Sequence, residues 1–222
     1  MDWQALTLSL RLAAWTTLIL LPVAVTVARA LAWRHFAAKG LVEALIALPL
    51  VLPPTVLGYY LLATFGAASP LGRALQGLFG QPLLFTFEGL LLASLIFNLP
   101  FAVQPMQRAF ESVPAAVREA AWVSGMSRLR TFWRIELPLA WPGVLSALVL
   151  TFAHTLGEFG VVLMVGGNIP GETKTISIAI YDRLQAFDDS GAAMMSALLL
   201  GLSFTAIALV HFLTRRVGVR HE

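Results

Sequence analysis

Residues 139–165 read LAWPGVLSALVLTFAHTLGEFGVVLMV, an apolar run whose ionisable side chains are His154 and Glu158 alone. A hydrocarbon layer about 30 Å thick is crossed by roughly 20 residues of α-helix, so the run is of membrane-spanning length. Four further blocks share its character, at 6–28, 41–65, 83–103 and 192–214. Of the 222 residues, 58% are hydrophobic and only 12% charged, and the mean hydropathy is +0.80. That composition leaves a water-soluble fold short of polar surface, so lipid is the solvent for much of the chain. The expected fold is an all-α, polytopic membrane protein with about five transmembrane helices.

The first block is read as a retained helix rather than a cleaved leader, because Asp2 is acidic and no basic residue precedes Arg11. Cysteine is absent, which excludes disulfides and cysteine-ligated metals. Basic residues alternate by side. Arg29, Arg34 and Lys39 follow the first block, Arg108, Arg118, Arg128, Arg130 and Arg134 the third, and Arg215, Arg216 and Arg220 the fifth. The opposite loops hold only Arg73, Lys174 and Arg183, with Arg11 near the outer end of the first block. The positive-inside rule then places the N-terminus outside and the C-terminus in the cytoplasm, so the excess positive charge reports topology rather than a nucleic acid partner. Residues 69–80 are too short and glycine-rich to cross, and read as an outer loop with a surface turn.

Residues 107–138 have the wrong composition for a span, yet Ala115, Ala116, Val117, Ala120, Ala121, Trp122 and Val123 are spaced for a short amphipathic helix. Ser112 is placed to cap its start and Pro114 suits its first turn. Gly125 supplies either a helix end or a close backbone approach. A second helical stretch carries Leu129, Phe132, Trp133 and Ile135 before Pro138 restarts the chain into the fourth span. Such a segment either lies at the lipid interface, anchored by Trp122 and Trp133, or docks a partner. No GxxxxGK[ST] run is present to cradle a nucleotide phosphate, so no ATPase activity is expected of this chain.

Glu119, Ala120, Ala121, Gly125, Ile135, Leu137 and Pro138 resemble, position by position, the EAA motif of ABC importer permeases: Glu-Ala-Ala, three residues, Gly, nine residues, Ile, one residue, Leu-Pro. TLGEFG at 155–160, GNIPGETK at 167–174 and LPLVLPPTVLG at 48–58 look like stretches of molybdate ABC transporter permeases. Sulfate and tungstate permeases have related patterns. The resemblance implies one ABC importer transmembrane domain over 1–222, with 107–138 as its cytoplasmic coupling region. Glu119, Ala120, Ala121 and Gly125 would meet a groove of the ATPase, with Glu119 facing the partner or bracing the loop. It further implies a homodimer in a bacterial or archaeal inner membrane, with two ATP-binding subunits beneath it and an external substrate-binding protein above it. The chain itself would hold no cofactor, ATP and Mg being bound by the partner subunits. The alternative in another class is a membrane scaffold that docks a cytoplasmic protein without moving a solute.

For the pathway or gate the candidates are Thr55, Asn98, Thr151, His154 and Glu158. Ionisable groups inside a span are costly, and His154 and Glu158 share a helical face at a spacing that permits a hydrogen bond. Pro53 and Pro54 interrupt the second block. Asn98 and Pro100 interrupt the third, where the asparagine can serve backbone groups freed by a break. Packing geometry is the competing reading for these residues, and a buried threonine often returns its hydroxyl to its own helix.

Overall fold

The computed structural model describes residues 1–218, and every regular element among them is helical. Helix α1 (Trp3–Trp33) is capped by Asp2, whose carboxylate accepts from the Ala5 amide at 3.0 Å. Its 31 residues span about 46 Å at 1.5 Å each, so its Arg29 end stands clear of a hydrocarbon layer of ordinary thickness. Helices α2 (Lys39–Val51) and α3 (Pro54–Phe65) meet at a 113° bend. Pro53 and Pro54 set it, since neither supplies an amide hydrogen to continue α2.

Helix α4 (Pro70–Phe79) corrects the expectation of a surface turn at 69–80. Ser69 caps it by accepting from Gly72 at 2.7 Å, Pro70 sits at its first position and Gly80 closes it at φ +74°. Helix α5 (Phe87–Glu111) runs unbroken through Pro100 and Pro105, so Asn98 and Pro100 do not interrupt a span. It also outruns block 83–103 into the segment read as a loop. Ser112 belongs to this helix end, donating to the Ala109 carbonyl at 2.8 Å, and does not cap the next helix.

Helix α6 (Ala115–Val123) follows Pro114, then α7 (Arg128–Thr131) passes through a π-helical turn (Phe132–Glu136) into α8 (Leu137–Gly157). Pro138 therefore restarts nothing. The widened turn, with Leu137 N–H bonded to the Phe132 carbonyl, accommodates a proline that would clash with the carbonyl four residues back. Block 139–165 is not one helix either. It ends at Gly157 and resumes as α9 (Gly160–Gly166). The connection after α9 contains α10 (Ile176–Gln185), and α11 (Asp189–Gly218) closes the described chain. Arg220 and the side chains of Arg215 and Arg216 lie outside the described residues.

Among the described residues four helices are long and apolar enough to cross a membrane, and the bent α2–α3 pair makes a fifth when taken as one span. At the centre α1, α5 and α8 pack through Leu20, Ala24, Ala28, Val103, Met106, Ala140 and Ala147. Small residues let these backbones approach closely. A Cβ on Gly143 of α8 would lie 2.2 Å from the Ala109 Cβ and 2.8 Å from the Pro105 carbonyl of α5. Helix α3 packs on α9, where Gly58 faces Met164 and Gly160 faces Pro54. At the far end Ala5 and Leu6 of α1 meet Ile176, Ala179 and Met195 of α10 and α11.

Candidate functional site

The bundle has two polar ends, named here by α6 and α10, and a thin polar layer between them. At the α6 end, α6 stops in a tight turn: Gly125 N–H bonds the Trp122 carbonyl and Met126 N–H the Ala121 carbonyl, both at 3.0 Å. This pairing needs a left-handed residue after the helix, and Gly125 has φ +81°. Nothing lies within 4 Å of a Cβ built there, so of the two readings for Gly125 the helix end holds and close approach within this chain does not. Ala121 is buried, while Glu119, Ala120, Trp122 and Val123 are exposed, Val123 by 89%. Trp122 and Val123 thus leave apolar surface bare at the α6 end.

What braces α6 was not among the sequence candidates. Glu136, in the π-helical turn, is wholly buried and pairs with Arg29 of α1, Nε to Oε2 at 2.6 Å and Nη2 to Oε1 at 3.3 Å. Arg118 of α6 brings Nε to 3.4 Å from Oε1 and lays its guanidinium 3.6 Å from the Trp33 ring centre. Helices α1, α6 and α8 are thus tied through one carboxylate. The signal in the sequence was an acid between Ile135 and Leu137 at the head of an apolar run, with no local clue to partners far along the chain.

The mid-bundle layer joins α1, α5 and α8. Thr16 donates to the Ser94 hydroxyl at 2.8 Å. The Asn98 amide nitrogen donates to the Ser94 carbonyl at 3.0 Å and to Thr155 Oγ1 at 2.9 Å, and its oxygen lies 3.0 Å from His154 Nδ1. With the asparagine nitrogen so committed, its oxygen is the acceptor, which assigns a hydrogen to Nδ1 of His154. The imidazole stacks on Phe101 at 3.9 Å. His154 thus bonds Asn98 and not Glu158. Each interhelical bond of this kind contributes about 0.6 kcal/mol in a membrane bundle, so the network fixes register more than it adds stability.

Glu158 lies outside the helical part of the run, in the gap between α8 and α9. Its Oε1 accepts from the Val161 amide at 2.9 Å, and its own carbonyl accepts from Ser177 at 2.6 Å. Glu158 and His154 both line a cleft of about 150 Å³ at the α2–α3 bend, walled by Pro49, Pro54, Phe97 and Phe101. The remaining candidates stand apart from that cleft. Thr55 is exposed at the start of α3, and Thr151 is buried with no hydrogen-bond partner for its hydroxyl among the described residues.

At the α10 end, loop 167–175 folds on the Ile169 carbonyl, which accepts from Thr173 and Lys174 at 3.0 Å each. Lys174 pairs with Asp182 at 2.7 Å and reaches Asp2 at 4.0 Å. Partial burial pushes the Asp182 carboxyl up, but hydrogen bonds from Lys174 and Asn168, with the lysine charge, outweigh it and hold the group below its ordinary value. This tie contributes to stability above the ordinary carboxylate range and is lost as pH falls through the depressed value.

Long apolar helices, a bent α2–α3 pair and a braced, exposed helix at one end define a multi-pass membrane protein. Residues 21–219 match the family described as binding-protein-dependent transport system inner membrane component, and the chain belongs to that family. It is 45% identical over 206 residues, 93% of this chain and 91% of the relative, to the molybdenum transport system permease protein ModB of Azotobacter vinelandii. The ModB of Escherichia coli (strain K12) is 37% identical over 96% of this chain and 94% of its own length. A probable sulfate transport system permease protein cysT of Helicosporidium sp. subsp. Simulium jonesii is 32% identical over 97% and 79%. Among solved structures, a bacterial ABC transporter that imports alginate aligns with TM-score 0.77 at 18% identity, over 96% of this chain and 78% of that one. The MetNI methionine ABC transporter in inward-facing form aligns at 0.69 and 17%, over 97% and 94%. These two likenesses bear on the fold.

Proposed function

We propose that this chain is the permease subunit of an ATP-driven importer for a tetrahedral oxyanion, molybdate in the first place. The observation that carries the reading is 45% identity to a molybdenum permease along nearly the whole chain, against 32% for a sulfate permease. In this reading 1–222 is one transmembrane domain, two copies enclose the pathway, and the basic α6 end faces the cytoplasm. ATP hydrolysis belongs to separate subunits that hold ATP and Mg, and an external binding protein delivers the solute.

The geometry of the α6 end supports a coupling role. An ATPase groove receives α6 through Glu119, Ala120, Trp122 and Val123, and Gly125 lets the chain turn away beneath it. Movement of α6 passes through Arg118 and Glu136 into α1 and α8, which Thr16 and His154 join to Ser94 and Asn98 of α5 in the mid-bundle layer. The His154–Glu158 cleft at the α2–α3 bend is the gate candidate, since a bend beside a break between α8 and α9 is where two rigid parts can separate. Thr55 and Thr151, outside that cleft, are secondary candidates for the pathway.

Proteoliposomes holding this chain with a matching ATPase and binding protein test the proposal. ATP-dependent molybdate uptake, and ATPase stimulation by the loaded binding protein, are expected. Uptake of sulfate in preference to molybdate would move the assignment to the sulfate branch. Neither uptake nor stimulation would leave the scaffold reading standing.

A further inference from the structure

We propose that the arginine-lined pocket at the α6 end binds the headgroup of an anionic phospholipid, whose acyl chains run along α1. The cavity, about 690 Å³, lies between α1, α6, α7 and the π-helical turn. Arg29, Arg34, Arg118 and Arg128 line it, and the carboxylate beside them, Glu136, is buried beneath Arg29 and Arg118. Four guanidiniums against one carboxylate leave a strong positive excess. Among the described residues the Arg34 and Arg128 side chains have no ion-pair or hydrogen-bond partner, and Arg118 Nε is buried without a hydrogen bond despite its 3.4 Å approach to Glu136. The Arg34 and Arg128 guanidiniums are unspent donors in a planar fork that suits phosphate oxygens.

The shape of the pocket chooses among anions. Its α1 wall runs from Arg34 back to Val25, about 13 Å along the helix, from the charged end toward the apolar layer. Leu129 and Phe132 continue the apolar wall, and Trp33 and Trp122 line it beside the arginines, a side-chain pairing that suits a lipid headgroup. A free oxyanion would satisfy the arginines and leave the apolar wall empty. An acidic side chain inserted by a protein from the aqueous side would stop short of Val25. An amphipathic ligand fills both parts, and basic pockets between helices at a membrane face take lipid headgroups. Arg118 lies on α6, so a bound lipid would bias the pose of the helix assigned to coupling. The inference stands whichever solute is carried, and failure of uptake leaves it untouched.

The test titrates phosphatidylglycerol, with phosphatidylcholine as the neutral reference, into the detergent-solubilised full-length chain and counts bound lipid by native mass spectrometry. Arg34→Gln with Arg128→Gln removes two unpaired charges without disturbing Glu136. Arg130→Gln removes an exposed charge outside the pocket. The double variant is expected to lose at least about tenfold in phosphatidylglycerol affinity, and R130Q to stay within about twofold. Thermal unfolding of each variant verifies that the fold is kept. Equal affinity in the double variant would overturn the proposal. So would displacement of the lipid by inorganic phosphate at matched concentration, the mark of a free-anion site. Unchanged lipid binding with lost ATPase copurification would assign the pocket to a protein partner instead.

Discussion

Glu136 concentrates more of this molecule's organisation than any candidate residue read from the sequence. A wholly buried carboxylate is tolerable only when paired, and removing one member of a buried pair typically costs about 3–5 kcal/mol. Arg29 is still about a third open to solvent, so Glu136→Gln is expected to cost about 3 kcal/mol, the lower end of that range. Glu119→Ala, on an exposed site, is expected to change stability by less than about 0.5 kcal/mol while weakening ATPase copurification. Thermal unfolding of both variants in one detergent, beside copurification, checks the contrast. A Glu136→Gln protein as stable as the parent would sink the bracing role. The EAA spacing pointed to Glu119 because a motif is a local pattern. Arg29 lies 107 residues from Glu136, and no periodicity in either neighbourhood announces the pair.

Two glycines separate kinds of constraint among the elements. Gly125 is needed for its backbone: a branched side chain at φ +81° is strained, so Gly125→Val is expected to unravel the last turn of α6 and cut ATP-driven uptake, while Gly125→Asn retains most of it. Gly143 is needed for its emptiness, and Gly143→Ala is expected to force α5 from α8 and lower stability by roughly 1–3 kcal/mol, as overpacking does. Gly77→Ala, in open space on α4, is the control and is expected to be neutral or slightly stabilising. Unfolding midpoints that rank G143A with G77A would contradict the close approach. The elements were legible where polarity changed. The Pro53–Pro54 pair announced the α2–α3 bend, and alanine spacing at 115–123 announced α6. Hydropathy could not see the break at Glu158 and Phe159, because apolar residues continue on both sides and the interruption rests on one carboxylate capping α9. Nor could it see that α5 absorbs Pro100 and Pro105, which a well-packed helix does when its neighbours hold it.

Across the whole molecule, the described charges lie toward the two ends and the layer between is neutral apart from Glu158. A dianion such as molybdate would need strong compensation to be held tightly there, and desolvating it without paired cations is prohibitive. No lysine or arginine lines the cleft at the bend, and the amide that α9 turns toward it is already committed to the Glu158 carboxyl. The Asn98 amide and the His154 Nδ1–H are already bonded within the mid-bundle layer, and the Thr151 hydroxyl, without a partner among the described residues, stands apart from the cleft. If the chain carries molybdate, tight capture therefore belongs to the external binding protein, and the pathway offers brief contacts that suit release. Calorimetric titration of molybdate into the purified chain without partners is expected to show affinity weaker than about 1 µM, less than about 8 kcal/mol of binding free energy. Submicromolar binding by the chain alone would refute this division of labour. It would mean that a second copy, or a rearranged α8–α9 gap, builds an anion site from neutral donors.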